Sequence, residues 1–378
     1  MHDPRLDRLA RVIVEYSVGV RRDDLVVLTG NTIAEPLLVL MYEHVVRGGG
    51  QPWIRLIPEQ CDELLLRHGQ SHQLSHTSPF DLQLVQQANV RISVWADRNS
   101  RALTNADPAR QAERSKARRP ILELFLKRAA KPAKSPDRLR WCGTALPTDS
   151  SAQDAEMSLQ EYEDFVFSAG KLDQKDPVAA WKKLGAAQQR LADALNKVRE
   201  LRFRAPGGTD LRVGVAGRRW INCDGHENFP DGEVFTGPVE NATEGVVCYE
   251  LPAVYQGREV EGVRLVFKAG KVVEASARKN EDFLLRMLDQ DAGARILGEI
   301  ALGTNYSIRR HTRNTLFDEK IGGTFHAALG ASYPESGGKN SSALHWDMVC
   351  DLRKGGLIEA DGKPLSRNGR FLKAEWPR

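Results

Sequence analysis

Cysteine is scarce in this sequence, and the residues that are present lie far apart. They are Cys61, Cys142, Cys223, Cys248 and Cys350, and no two of them form a C-x-x-C pair. This spacing argues against a disulfide framework and against a structural zinc site built from thiolates. Any metal bound by this chain must therefore be held by oxygen and nitrogen ligands.

The sequence also lacks a long apolar run and a strong excess of one charge. No segment approaches the ~20 apolar residues of a membrane helix, and the N-terminus mixes acidic and basic residues, unlike a secretory signal. The net charge is only +4 over 378 residues, and basic residues fall in mixed runs that are typical of solvated helix faces. We therefore expect a cytoplasmic protein that binds neither membranes nor nucleic acid.

Phosphate-binding loops are missing from the first part of the chain, although its pattern is that of an α/β layer. The predicted strands "DLVVLTG", "QPWIRLI" and "NVRISVWA" alternate with helical stretches, which favours a parallel sheet. The loop after the first strand, "TGNTIAE", contains neither G-x-G-x-x-G nor G-K-[ST]. We interpret this part as a scaffold.

The pattern becomes rich in strands after about residue 200. "LRFRAPGGTDLRVGV" and "GVRLVFKAGKVVEASA" each predict a hairpin around a glycine-containing turn. We place the domain boundary near residue 195, which gives domains of residues 1–195 and 196–378. The predicted fold is an α/β N-terminal domain with a parallel sheet, followed by an α+β, β-rich catalytic domain.

Candidate metal ligands in the second domain fall in a few short motifs. In "LHWDM", His345 and Asp347 are two positions apart, so a strand projects both from one face. We expect Glu299 to follow a helical run that ends at Gly298. The full candidate set is Glu233, Glu299, Asp318, Glu319, His326, Tyr333, His345 and Asp347.

A set with several carboxylates and two imidazoles suits two divalent ions better than one closed structural zinc. Close dications repel each other, so negative ligands must surround them, and Glu233 or Glu299 is a candidate for the bridging carboxylate. Simpler interpretations remain open from the residues alone. His345 and Asp347 can form an ordinary hydrogen-bonded pair, and Glu233 can be an exposed acid in a turn.

The order of "GEVFTGP", "LGEIALG", "LFDE", "HAALGASYP" and "LHWDM" resembles the aminopeptidase T group of dinuclear metallopeptidases, family M29. Each motif alone is weak, but five in one order, with "MSLQEYEDFVFSA" before them, extend the resemblance over nearly the whole chain. The resemblance implies a homodimer that releases single residues from the N-termini of short peptides through a two-metal-activated water. It implies two divalent ions (Zn, Co or Mn).

The resemblance also assigns roles to particular residues. It implies metal binding by Glu233, Glu299, Glu319, His326, Tyr333, His345 and Asp347. Catalytic roles fall to Glu299, Glu319 and Tyr333, the last either as a ligand or as a donor to the oxyanion. The family usually reads D-E-N with a short gap to the histidine, whereas this chain reads "DEKIGGTFH", so Glu319 is expected to be displaced.

Two other functions compete with the peptidase hypothesis. Ring-opening dihydroxypyridine dioxygenases resemble this family and bind a single iron through two histidines and a carboxylate, for which His326, His345 and Asp347 would suffice. Such a site does not need Glu233 and Glu299, which this chain has. A non-catalytic binding protein of the same fold would be expected to have lost ligands, and none of the motifs is visibly damaged.

Overall fold

The computed structural model describes residues 3–378. The helices are α1 (Pro4–Val12), α2 (Glu35–Arg47), α3 (Gln60–His68), α4 (Ser71–Leu74), α5 (Pro79–Gln87), α6 (Pro108–Ala129), α7 (Asp149–Asp154), α8 (Leu159–Ala169), α9 (Pro177–Leu195), α10 (Glu281–Leu288) and α11 (Thr315–Asp318). The strands of the first half are β1 (Leu25–Asn31), β2 (Gln51–Ile57), β3 (Val90–Trp95) and β4 (Arg140–Ala145). None of the helices in residues 3–378 combines the length and the apolar character that a membrane span requires.

Strands dominate the second half of the chain. They are β5 (Glu200–Ala205), β6 (Thr209–Gly214), β7 (Ile221–Cys223), β8 (Asn228–Phe229), β9 (Glu233–Thr236), β10 (Thr243–Tyr249), β11 (Ala253–Tyr255), β12 (Arg258–Val260), β13 (Val263–Lys268), β14 (Lys271–Ser276), β15 (Leu297–Gly303), β16 (Thr324–Gly330), β17 (His345–Asp351), β18 (Leu357–Ala360), β19 (Lys363–Arg367) and β20 (Arg370–Phe371). The hairpins β5–β6 and β13–β14 lie where the glycine turns predict them.

The described residues form two compact units. One contains the chain up to Val178 together with Gly225–Phe229, and the other contains Ala179–Asp224 and Pro230–Arg378. The division comes before most of α9, whereas the boundary predicted from the sequence lies after it, near residue 195. The apolar face of α9 explains the difference, because its residues Leu191 and Leu195 are buried in the core of the second unit.

The first unit is built on a parallel sheet with the strand order β2-β1-β3-β4-β8. The inner strands bury one apolar face, as in Val26, Leu28 and Ile92, whereas β3 places the partly buried Arg91 and Ser93 on the other face. The prediction of an α/β N-terminal part with a parallel sheet is confirmed.

The second unit contains antiparallel sheets, which confirms the predicted β-rich part. A large sheet has the order β14-β13-β10-β6-β5-β18-β19-β20, and a smaller one has the order β17-β16-β15-β9-β7. We call the smaller one the site sheet. One of its faces contributes Ile300, Leu302, Phe325, Leu329 and Trp346 to the core of the unit. The other face carries the candidate metal ligands.

The expectation that Glu299 follows a helical run is wrong. α10 ends at Leu288, and Glu299 lies inside β15, where every residue from Leu297 to Gly303 is buried. A strand that is buried on both faces has no alternation of polar and apolar residues, so its sequence resembles that of a buried helix.

Candidate metal centre

Strand register brings the candidate ligands to one face of the site sheet. Glu299 on β15 pairs with Ala328 on β16, and Ala328 pairs with Asp347 on β17, so these side chains form a row across the strands. His326 and His345 lie two positions from Ala328 and Asp347 respectively, and therefore project from the same face.

Small residues leave space between these side chains. His326 pairs with Ala301, His345 pairs with Gly330, and Glu233 on β9 pairs with Gly303. A long side chain at any of these partner positions would fill the face on which the ligands converge. The alternation of ligands with alanine and glycine therefore produces a polar pocket on a strand surface that would otherwise be packed.

A glycine turn and a buried amide orient Glu233. The preceding Gly232 has a φ of +124°, and a Cβ at this position would lie 2.6 Å from the Cβ of Asn305. Gln188 on α9 is fully buried, and its Nε2 donates to the carbonyl oxygens of Cys223 (2.9 Å) and Glu233 (2.7 Å). The backbone on both sides of the carboxylate is thus fixed.

The side chains form two groups that share Glu299. In site A (Glu233, Glu299 and His326), His326 Nε2 lies 3.3 Å from Glu233 Oε2 and 3.5 Å from Glu299 Oε1. In site B (Glu299, His345 and Asp347), His345 Nε2 lies 3.4 Å from Glu299 Oε2 and 3.5 Å from Asp347 Oδ2. Each oxygen of Glu299 therefore faces a different imidazole.

These residues fit divalent metal ions. Ligand bonds of about 2.0–2.2 Å in a tetrahedral site separate the ligand atoms by about 3.3–3.6 Å, and the imidazole nitrogens and carboxylate oxygens of sites A and B lie 3.3–3.5 Å apart. Within residues 3–378, Glu233 Oε2 and Asp347 Oδ1 are buried and accept no hydrogen bond. Such oxygens are costly to bury unless a cation contacts them.

Backbone carbonyls fix the orientation of both histidines. His326 Nδ1 lies 3.1 Å from the carbonyl oxygen of Glu319, and His345 Nδ1 lies 2.9 Å from that of Ala331. A carbonyl can only accept, so Nδ1 carries the hydrogen in each ring and Nε2 is directed towards the carboxylates. This arrangement is common for metal-ligating histidines.

The imidazoles and the shared carboxylate shift each other's pKa. Burial acts to raise the pKa of Glu299, but the neighbouring His326 and His345 outweigh it and lower this pKa to about 2. Burial acts to lower the pKa of each histidine, and the carboxylates raise it to about 9 for His326 and about 10 for His345. The pocket thus stabilises positive charge.

Two other carboxylates are poorly stabilised. Burial raises the pKa of Glu233 despite the opposing effects of Lys320 and His326. Burial raises the pKa of Asp347 well above its usual value, and the charge of Glu319 adds to this effect. In both cases burial disfavours the charged carboxylate more than the nearby cations stabilise it.

Glu319 lies beside the pocket, with its carboxylate on a lysine. Lys320 Nζ lies 2.9 Å from Glu319 Oε2, 2.6 Å from Glu233 Oε1 and 3.9 Å from Asp231 Oδ1. These acids act against burial and raise the pKa of Lys320 well above its usual value. Among the described residues, the ligand-atom groups that include Glu299 do not include Glu319.

Tyr333 lies at the rim of the pocket. Its ring packs edge-on against His345, with 5.2 Å between centroids, and against Phe235. Although the residue is 42 % exposed, burial of its hydroxyl and the charge of Glu299 raise its pKa. The hydroxyl therefore keeps its proton near neutral pH.

Lys320 and Gln188 contact the site residues, although no role was predicted for either from the sequence. Lys320 occupies the position where the family usually has the asparagine of D-E-N. This departure from the family motif was the one feature of the sequence that could have drawn attention to the lysine. Gln188 lies on a helix 45 residues before Glu233. Nothing in the local pattern of an amphipathic helix distinguishes this glutamine from a solvated one.

Comparisons with known proteins support the same chemistry. The profile of the thermophilic metalloprotease family (M29) matches residues 2–371. Aminopeptidase 2 from Geobacillus stearothermophilus is 32 % identical over 328 residues, which cover 76 % of this chain and 77 % of that protein. The structure of wild-type AmpT from Thermus thermophilus superposes with a TM-score of 0.84 at 26 % identity, covering 98 % of this chain and 99 % of the other.

A more distant structure shares the fold. The 2,5-dihydroxypyridine dioxygenase from Pseudomonas putida KT2440 superposes with a TM-score of 0.61 at 12 % identity, covering 99 % of each chain. A likeness at this identity concerns the fold and leaves the chemistry to the site residues.

Proposed function

Because the chain belongs to the thermophilic metalloprotease family M29, it is a metal-dependent aminopeptidase, and we propose that a water activated by two divalent ions releases single N-terminal residues from short peptides. One observation carries the two-ion proposal. The oxygens of Glu299 face different imidazoles at 3.5 and 3.4 Å, as a bridging carboxylate requires. The resemblance seen in the sequence is confirmed at the level of the family.

Sites A and B would each hold one ion, with Glu299 shared between them. Bound divalent ions supply a water that ionises near neutral pH and a Lewis acid that polarises the scissile carbonyl. The donor set of carboxylate oxygens and imidazole nitrogens suits zinc, cobalt or manganese. The identity of the ions stays a prediction.

Residues at the rim would recognise and assist the substrate. Tyr333 keeps its hydroxyl proton and lies beside His345, so it can donate a hydrogen bond to the oxygen that becomes negative as the carbonyl is attacked. The acid-rich pocket also provides negative charge for the free ammonium group of a peptide, which favours cleavage at N-termini.

The dioxygenase alternative is not favoured. A single iron held by His326, His345 and Asp347 would leave Glu233 and Glu299 as buried acids without a role in the site. Their burial in direct proximity to His326 supports a second cation instead.

A substrate panel tests the proposal. Purified protein would be stripped with a chelator, reloaded with Zn²⁺, Co²⁺ or Mn²⁺, and assayed on short peptides with a free or an N-acetylated terminus. We expect metal-dependent release of the first residue from the free peptides and none from the acetylated ones. Equal cleavage of both, or ring opening of 2,5-dihydroxypyridine with Fe²⁺ and no peptide cleavage, would contradict it.

The assembly state and compartment stay predictions. A homodimer in the cytoplasm is expected, and sedimentation of the purified protein at micromolar concentration measures the first of these.

A further inference from the structure

A buried ammonium group lies at one end of the candidate metal centre. Lys320 is only 2 % exposed, and its Nζ contacts Glu233 Oε1 at 2.6 Å and Glu319 Oε2 at 2.9 Å, with Asp231 Oδ1 at 3.9 Å. An isolated buried ammonium is strongly unfavourable. These carboxylates stabilise the ammonium group of Lys320. The ammonium group in turn neutralises negative charge that would otherwise be available to a metal ion.

The backbone fixes Lys320 in this position. Its N–H donates to the carbonyl oxygen of Phe317 at 3.1 Å, and its own carbonyl oxygen accepts from the N–H of Asn305 at 3.0 Å. The helix that precedes Lys320, α11, is capped by Asn314, whose side chain accepts from the N–H of Leu316 at 3.1 Å. The side chain therefore leaves a constrained turn and enters the pocket.

Lys320 affects sites A and B unequally. It contacts Glu233, which belongs to site A, on the oxygen opposite the one that faces His326. It also contacts the carboxylate of Glu319, the acid that the family resemblance assigns to the metals. Glu233 of site A is therefore shared with a fixed positive charge. Site B is built from Glu299, His345 and Asp347 instead.

We propose that Lys320 is a built-in cation that makes the two metal positions unequal, so that site B binds a divalent ion first and site A binds a second one more weakly. The proposal rests on the two-ion function described above and refines it. A like charge within about 5 Å opposes a divalent ion by about tenfold or more in affinity, even in a water-like dielectric. Glu319 acts as the counter-ion of Lys320 and not as a ligand.

Metal titration of the wild-type chain tests this directly. Metal-free protein would be titrated with Co²⁺ in a calorimeter, with bound metal counted in parallel by equilibrium dialysis and elemental analysis. We expect one tight equivalent and a second that is at least tenfold weaker. Two equivalents of equal affinity would overturn the inference and leave the two-metal function intact, whereas failure to bind any metal would count against both.

The variant Lys320→Gln separates the ammonium from the rest of the site. It keeps a polar side chain of similar length but removes the charge, so the weaker equivalent should tighten at least tenfold and the tight one should change little. Lys279→Gln is the matched control, because Lys279 also contacts two carboxylates, Glu259 at 2.6 Å and Glu261 at 2.8 Å, but is half exposed and distant in sequence from the ligands.

The outcomes are distinct. Tightening of the weak site in Lys320→Gln but not in Lys279→Gln supports the inference, whereas unchanged or weaker binding in Lys320→Gln overturns it. If Lys320→Gln does not fold, Lys320→Met, which also removes the charge, takes its place in the same titration, and a second equivalent as weak as in wild type overturns the inference. The test needs no activity measurement.

Discussion

Asp291 anchors the segment that leads into β17, and replacing it by alanine should lower the free energy of unfolding by about 2 kcal/mol. Its carboxylate accepts from the N–H of Ala343 at 2.8 Å, from the hydroxyl of Ser342 at 2.9 Å and from the N–H of Gly293 at 2.9 Å. Ala343 is two residues before His345, so this anchor also positions the histidine.

The magnitude follows from these donors. Each hydrogen bond contributes roughly 0.5–1.5 kcal/mol net, so three contribute about 1.5–4.5 kcal/mol. Asp291 is partly exposed, and water replaces some of the lost bonds, so we expect about 2 kcal/mol, towards the lower end. For a unit of this size this corresponds to a loss of about 4–8 °C in the thermal midpoint.

The effect should depend on pH in a defined direction. The N–H of Ala343 lowers the pKa of Asp291 below 3.8, aided by Ser342 and opposed by burial. A carboxyl whose pKa is lower in the folded state stabilises the fold above its unfolded pKa, and this contribution is lost as the pH falls through the folded value. The difference between wild type and Asp291→Ala should therefore be full above about pH 5 and shrink below pH 3.8.

Urea denaturation of the metal-free proteins at pH 7 and at pH 3 measures both quantities. The control is Asp289→Ala, because the side chain of Asp289 forms a surface ion pair with Arg295 at 2.7 Å and is 63 % exposed. Such pairs contribute about 0–1 kcal/mol. If Asp291→Ala is no less stable than this control at pH 7, or if its deficit is the same at both pH values, the reasoning is refuted.

Three further predictions concern the second-unit backbone, the thiols and the metal. Gln188→Leu should cost about 2–3 kcal/mol and weaken metal binding, because the carbonyl oxygens of Cys223 and Glu233 lose their donor; unchanged metal affinity in a calorimetric titration would contradict this. In the folded protein iodoacetamide should label the exposed Cys61 and spare Cys350, whose pKa burial raises to about 12; mass spectrometry of labelled peptides decides it, and rapid labelling of Cys350 would count against its burial. Adding Zn²⁺ to metal-free protein should raise the thermal midpoint, by about 2.7 kcal/mol of stability at a free concentration one hundred times the dissociation constant; a midpoint independent of Zn²⁺ would argue against a metal centre formed only in the folded state.

Local patterns predicted the elements whose two faces differ in polarity. The alternation in "LHWDM" correctly placed His345 and Asp347 on one face of a strand, because β17 has an apolar face in the core and a polar face at the pocket. The hairpins around Gly208 and Gly270 were likewise predictable, since both glycines adopt positive φ at the turn. In each case the determining interactions lie within a few residues.

Other features depend on contacts between distant residues. β15 is apolar on both faces apart from Glu299, so its sequence could not distinguish a strand from a buried helix. The family motif identified Glu319 as a candidate ligand, but only the folded structure shows its carboxylate on Lys320. The longer gap before His326 was visible in the sequence, whereas the position of the ammonium between Glu233 and Glu319 was not.

The central claim is that Glu299 is shared by two metal positions, and one measurement tests it most directly. Bound metal and peptide turnover would be determined on the same preparations of wild type, Glu299→Gln and the surface control Glu274→Gln. We expect wild type and the control to bind two equivalents at saturating metal and to turn over normally, while Glu299→Gln loses at least one equivalent and nearly all turnover. Full metal content together with wild-type turnover in Glu299→Gln would contradict the account.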